Sequence, residues 1–449
     1  MRPTPAVAPA RAVAHAVVLR CEQGGAFADR ALPAQIARAG LDARARALAT
    51  RLTYGTIQRT ATLDALIEQL SSRPPARIAA GARIALRLGL YQLLFLDGIA
   101  DHAAVNESVE LAKGDGRKAA GLVNAVLRRA ASEGEPWLRA LGDATPAQAA
   151  VLHSHPRWLA ERWFQALGAD TARALMAADN EPAESAVRAN TLFVTGGELV
   201  AELRSRGVRA TRADGLDEAV VIDGAFDARG SDLARAGALM PQARASMLVA
   251  RTLEPMAGER VLDLCAAPGA KTTHLAALAG GKPRTLVAVE RHQGRATALR
   301  RTCEQFGVDV EVRCGDAREL ARSDPEGYDR VLVDVPCSGL GTLRSHPDAR
   351  WRVRATDARA LASVQGELLA AAATAVAVGG VLVYSTCTIE QIENDDVVDT
   401  FLEAHRDFRP AGPESRLPLW DHAHMEGRLQ TLPHRDSTDG FYIARMVRE

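Results

Sequence analysis

Apolar residues recur at intervals of three and four through the first 140 positions. They run through Leu52, Ile57, Leu63, Leu66, Ile67 and Leu70, then through Ile84, Leu86, Leu88, Leu90, Leu93 and Leu94. That period predicts helices. Pro74-Pro75 breaks the chain between two of them, and segments 105–112 and 121–129 complete a helical bundle over residues 1–140. The first 25 residues begin basic and turn apolar, but Arg11, His15 and Arg20 interrupt the run and no convincing cleavage site follows. They read as a first helix, not a leader.

Glu135-Pro136 predicts a break, and Thr145-Pro146 a new helix start. Over residues 141–245, short β-branched runs at 186–190, 208–211 and 219–222 surround one helical stretch near 197–205, which predicts a small α+β unit. Over residues 246–449 the pattern changes again. Strand-like runs at 260–264, 285–290, 309–314, 330–334 and 381–385 alternate with helical stretches, and 440–446 reads as a last, antiparallel strand. Such alternation predicts an α/β domain, a parallel sheet with helices on both faces. Its ligands belong at the carboxyl ends of the strands.

Composition refines this picture. Hydrophobic residues at 47% and charged residues at 24% exclude disorder as the main state. Lys+Arg and Asp+Glu both number 55, but residues 1–140 carry 19 basic and 12 acidic side chains, a net of +7 that the remainder cancels. A polyanion contact at the N-terminal end fits that skew, and so do solvated Arg-rich helices. Only four basic residues are Lys, at 113, 118, 271 and 282. The greasiest run, 84–96, contains Arg87 and falls short of the ~18 apolar residues of a membrane span. Six cysteines at 21, 265, 303, 314, 337 and 387 include no Cys-x-x-Cys pair, so neither a zinc site nor a disulfide framework is expected. A cytoplasmic chain with free thiols and no metal follows.

The predicted strand ends carry the chemistry. After the first comes Cys265-Ala266-Ala267-Pro268-Gly269-Ala270-Lys271-Thr272, small residues that let backbone approach a ligand at a helix N-terminus. It is neither Gly-x-Gly-x-x-Gly nor a P-loop. The second strand ends in Glu290, suited to a ribose diol, and the third in Gly315-Asp316, suited to an adenine amino group or simply to a turn. The fourth leads into Asp334-Val335-Pro336-Cys337-Ser338-Gly339 and the fifth into Ser385-Thr386-Cys387-Thr388. One such Cys could be a core filler; two beside an acid suggest a nucleophile. Methylation at C5 of a pyrimidine needs that set. A thiolate adds to C6, C5 becomes nucleophilic and takes a methyl group, and loss of the C5 proton then expels the thiolate.

The Cys265–Thr272 loop, Asp334-x-Pro336-Cys337-Ser338-Gly339 and Ser385-Thr386-Cys387-Thr388 resemble the signature motifs of the RNA 5-methylcytosine methyltransferases. Segments 105–113 and 122–129 are similar to the NusB-like RNA-binding domain, and the combination resembles the RsmB (Sun/Fmu) type, which acts on small-subunit ribosomal RNA. The resemblance implies an all-α NusB-like bundle, a small middle domain and a Rossmann-like methyltransferase domain. It implies S-adenosyl-L-methionine bound by Cys265, Ala266, Ala267, Pro268, Gly269, Ala270, Lys271, Glu290, Asp316 and Asp334. Cys387 would be the nucleophile, Cys337 would help release product, and Asp334 would also be catalytic. His346-Pro347-Asp348 and Trp351 match the segment after the Pro-Cys motif. Ribosomal RNA is the expected partner of a monomeric chain, with no DNA and no membrane.

Three positions depart from the family pattern. Ala270 stands where a second Gly is usual, Glu290 where Asp is usual, and Gln242-Ala243 where Gln-Asp is usual. Two other readings stay open: a DNA methyltransferase with a Pro-Cys nucleophile, and a non-catalytic RNA-binding factor. His274 and His292, at predicted helix starts, read as surface or capping residues. Trp158 and Trp163 read as packing, Phe441 and Tyr442 as core strand, and Arg188 as a weak candidate for RNA contact.

Overall fold

Leu63, Leu66, Ile67 and Leu70 line one face of the helix Thr60–Ser71, and all four are buried. They pack with Ile84, Leu86, Leu88 and Leu90 of the helix Ala80–Phe95 in one apolar core. Helix contact is close because Gly55 has no side chain: a Cβ there would lie 1.9 Å from the Tyr91 ring. Arg87, inside this run, is buried without being orphaned, because Asp64 (2.7 Å) and Glu22 hold its guanidinium. The computed structural model describes residues 7–224, 226–321 and 326–449, so the first six residues of the expected N-terminal helix lie outside it. That helix spans Pro9–Gly24.

Contacts divide the chain into two compact units. The first runs to Glu181 and also takes in His346–Val353. Its helix Arg117–Ala140 continues through Pro136, where the sequence predicts a break. One lost backbone bond near the helix end is offset by Trp137, which packs on the bundle core. A capping box between Thr145 and Gln148 starts the next helix, Pro146–Leu152. Helices Arg157–Leu167 and Ala169–Ala178 follow, so a stretch the sequence assigns to the α+β region is helical up to residue 178. Within the returning segment, Arg350 is fully buried and donates to Ser154 O (3.0 Å), Asn180 Oδ1 (3.0 Å) and Asp179 O (2.9 Å). Trp351 Nε1 donates to Ile57 O at 2.7 Å.

The second unit holds both sheets. Strands β1 (Ala186–Ala189), β2 (Arg209–Ala213), β3 (Leu216–Asp223) and β4 (Leu239–Pro241) form an antiparallel sheet in the order β2-β3-β1-β4. β4 has only three residues, too few to show a period in the sequence. The larger sheet contains β5 (Arg260–Leu264), β6 (Thr285–Glu290), β7 (Glu311–Cys314), β8 (Tyr328–Asp334), β9 (Val376–Thr386), β10 (Phe408–Pro410), β11 (Arg428–Gln430) and β12 (Tyr442–Arg448). Its order is β10-β12-β9-β8-β5-β6-β7, with β11 beside β12. β5 to β9 are parallel and β12 runs antiparallel to β9, as the sequence predicts.

Successive residues of these strands feed opposite layers. Val261, Ala288, Leu332 and Val383 pack with the helix Arg244–Leu253, whereas Leu262, Val287, Val331 and Leu382 pack with the helix Asp357–Thr374. Both faces are thus apolar, and polar groups collect at the strand ends. No helix among the described residues is long and apolar enough to cross a membrane.

Candidate active site

The loop after β5 turns sharply. Cys265 has a left-handed φ of 66°, Ala267–Pro268 is a cis peptide, and Gly269 has φ 105°. A Cβ on Gly269 would lie 2.9 Å from Leu299 Cδ1, so both conformation and space require glycine there. The helix Ala270–Leu278 begins at once, its N-terminus at the loop. Ala270 has no positive φ, so alanine at this position carries no backbone strain. Beneath the loop, Thr272 Oγ1 donates to Asp263 Oδ2 at 2.6 Å, and burial pushes the Asp263 carboxyl up to about 7.

The two acids expected at β6 and β7 lie at neighbouring strand ends, where Gly315 N donates to Glu290 O at 3.1 Å. Glu290 is buried and accepts from His292 N at 2.9 Å. Asp316 accepts from Arg318 N (3.0 Å) and pairs with Arg318 Nη2 (2.6 Å). That side-chain bond, more than any other influence, brings its carboxyl down to about 2. His292 precedes its helix exposed, in keeping with a bland role.

β8 and β9 place the thiols. Asp334 pairs in register with Ser385, and Ser385 Oγ donates to Asp334 Oδ1 at 2.7 Å. Lys271 Nζ, from the loop helix, donates to Asp334 Oδ2 at 2.7 Å and lies 5.3 Å from the Phe441 ring centroid. Burial alone would lower the Lys271 ammonium, but Asp334 outweighs it, with a smaller push from Cys387, and the net shift is upward. Lys271 stays charged. Cys337 Sγ and Cys387 Sγ are 3.3 Å apart, and Cys387 N donates to Cys337 Sγ at 3.3 Å. The bond to Cys387, then burial, pushes the Cys337 thiol far up, so Cys337 keeps its proton. Burial likewise raises Cys265 and Cys303 to about 12 and Cys21 to about 11.

Two residues differ from the sequence reading. Arg188 is no RNA contact: it is fully buried in β1, and donates to Gln242 Oε1 (2.8 Å), Thr273 Oγ1 (2.8 Å) and Ala270 O (3.3 Å). A strand position is compatible with either environment, and only the packing of the small sheet on the loop helix decides. His274 is neither surface nor cap. It is buried with Nε2 2.9 Å from Glu218 Oε1, a carboxylate shared with Arg251. Burial, then the Arg188 charge, lowers His274 to about 4. Trp163, Phe441 and Tyr442 are buried, consistent with packing roles. The sequence also missed the Lys271–Asp334 pair and Ser385. The scarcity of lysine was the one available signal for the first.

Residues 250–447 match the family described as 16S rRNA methyltransferase RsmB/F. A Bacillus subtilis (strain 168) protein, "Probable ribosomal RNA small subunit methyltransferase B", is 35% identical over 97% of this chain and 98% of its own length. The chain belongs to the RsmB/F family of 16S rRNA methyltransferases. An RsmB/F relative from Thermus thermophilus, "Ribosomal RNA small subunit methyltransferase B", is 37% identical over 98% of this chain and 97% of its own. Residues 8–132 match the NusB family and residues 155–229 the RsmF/B-like ferredoxin-like domain. The crystal structure of PH0851 superposes with a TM-score of 0.83 at 26% identity, over 98% of this chain and 99% of that one. NSun6 from Pyrococcus horikoshii shares the fold, with a TM-score of 0.60 at 22% identity over 66% of this chain and 99% of its own. RsmB/F membership brings a coarse activity with it, methyl transfer to ribosomal RNA.

Proposed function

We propose that this chain methylates C5 of a cytosine in 16S ribosomal RNA through a covalent bond from Cys387 Sγ to C6, with S-adenosyl-L-methionine as donor. The observation that carries this reading is the pair of thiols, 3.3 Å apart on adjacent strand ends, beside Asp334 at the end of β8 and the Lys271 that reaches it from the loop helix.

The cofactor fits the residues present. Gly269, at φ 105°, turns the backbone into the helix that starts at Ala270, whose N-terminus suits a carboxylate. Cys265 to Lys271 would line that turn, Glu290 would take the ribose diol, Asp316 the adenine side, and Asp334 the reacting end. Bound S-adenosylmethionine supplies the electrophilic methyl group that C5 attacks.

The two thiols share one hydrogen bond in which either sulfur can donate. The resemblance of Ser385-Thr386-Cys387-Thr388 to the family's nucleophile motif selects Cys387 as the sulfur that attacks C6. Lys271 places a cation near that sulfur. Asp334, held by Lys271 and Ser385, orients the ring by accepting a hydrogen bond from the cytosine amino group, and the Lys271 ammonium offsets the negative charge developing at N3 as the ring accepts the thiolate. Once Cys387 is a thioether, Cys337 gives its own proton to solvent and, as the thiolate, takes the C5 proton, and breakage of the C6–S bond restores the ring and the Cys387 thiolate. A base reaching this site must leave its stack, which favours a loop or single strand in RNA. The net +7 of the first 140 residues supports contact with RNA phosphates.

Incubating the full chain with 16S RNA and S-adenosylmethionine, then analysing nucleosides, should yield 5-methylcytidine. Methyl groups on another atom, or on duplex DNA in preference to RNA, would overturn the proposal.

A further inference from the structure

Two consecutive residues, Glu393 and Asn394, reach the two thiol loops separately. Glu393 Oε2 accepts from Ser338 N at 2.9 Å, one residue past Cys337, and from Gln365 Nε2 at 2.9 Å. Gln365 Nε2 also donates to Pro336 O at 3.0 Å, so both flanks of Cys337 are tied to this pair. Asn394 does the same for Cys387. Its Oδ1 accepts from Thr386 Oγ1 at 2.6 Å and its Nδ2 donates to Thr388 O at 3.0 Å. A cross-tie joins the loops directly, Ser338 Oγ to Thr388 Oγ1 at 2.8 Å. Glu393, Asn394 and Gln365 are all buried, and Tyr384 OH fixes the backbone between strand and pair by donating to Glu393 O at 2.6 Å.

We propose that Glu393 and Asn394, with Gln365, are positioning residues that set the separation of the two thiols. Neither residue touches a sulfur. Glu393, with Gln365, holds the backbone on both sides of Cys337, and Asn394 holds the Thr386 hydroxyl and the Thr388 carbonyl on either side of Cys387; because Glu393 and Asn394 are adjacent in the chain, one peptide unit fixes one loop against the other. This geometry suits a reaction in which one sulfur bonds the ring and the other must reach a proton on the same ring moments later. Small displacements of such groups cost about 10²-fold in rate.

The consequence for catalysis rests on the methyl-transfer reading, but the separation itself can be measured without RNA. Hydrogen peroxide converts two thiols to a disulfide with release of two waters, and a disulfide requires the sulfurs to close to ~2.05 Å. The wild-type chain, starting from 3.3 Å, should form the Cys337–Cys387 bond readily, seen as a loss of two hydrogens and as a cross-linked peptide. Asn394→Ala and Gln365→Leu should slow that bond by about tenfold or more, and should lower kcat with the KM for RNA unchanged. Glu393→Gln keeps an acceptor oxygen and should restore both to near wild-type values. Cooperative thermal unfolding shows that a variant is folded. Where the alanine variant is not, Asn394→Gln carries the same expectation, its amide displaced by one methylene. Disulfide formation at the wild-type rate in the folded Asn394 and Gln365 variants would overturn the proposal. A wild-type chain that forms the disulfide but makes no 5-methylcytidine would instead overturn the methyl-transfer reading.

Discussion

Lys271 Nζ lies 2.7 Å from Asp334 Oδ2, joining the cofactor loop to the strand end that precedes Cys337. The ammonium is placed to serve both the acid and the sulfur of Cys387. Lys271→Met should therefore lower kcat by about 10²–10³-fold, the usual loss for one preorganised charge. Steady-state kinetics checks this, and an undiminished kcat would remove Lys271 from the chemistry.

Cys387→Ala should abolish methylation and any covalent RNA complex. Cys337→Ala should leave the attack possible but deprive the adduct of its proton acceptor. A protein–RNA complex resistant to denaturant should then accumulate, visible as a shifted band in a denaturing gel. The reverse pattern would exchange the roles of the two sulfurs.

Two buried groups give stability opposing pH dependences. Asp263 titrates near 7 when folded against an ordinary 3.8, so the folded chain holds the extra proton and stability falls as pH rises from 4 to 7. His274 titrates near 4 against an ordinary 6.5, so stability falls as pH drops through that window. The effects are of similar size, about 3–4 kcal/mol at most from the cited shifts. They largely cancel between pH 4 and 6.5. Asp263→Asn keeps an acceptor for Thr272 and should unmask the acid sensitivity of His274. His274→Gln should unmask the opposite slope. Urea unfolding at pH 5 and pH 7 distinguishes them, and two variants with parallel profiles would refute the assignment.

Gly269→Ala should weaken S-adenosylmethionine binding before it weakens the fold. Its φ of 105° strains the loop, and a Cβ 2.9 Å from Leu299 makes the loop and the side chains of the helix Gln293–Gln305, not the sheet, give way. A loss of about tenfold in affinity with a melting temperature lowered by only a few degrees is expected, measured by calorimetry and thermal unfolding.

Much of this protein is local information. The 3.6-residue period of the first 140 residues, the β-branched runs of β5 and β6 and the paired Pro-Cys and Thr-Cys segments are set by neighbours in sequence, and the strands observed at Arg260–Leu264 and Thr285–Glu290 coincide with those expected. A parallel sheet then puts residues that follow adjacent strands side by side, which is why Cys337 and Cys387 meet across 50 positions. What the sequence could not decide was burial and partnership. Arg188 and His274 have surface-type side chains, and only the small sheet packing on the loop helix makes them interior. Pro136 signals a break, but Trp137 docking on the bundle overrides it. Glu393 and Asn394 carry no spacing that marks them, because their role exists only where two strand ends and a helix converge. Chain-local pattern fixes the elements, and long-range packing fixes which polar groups lose water and must find each other.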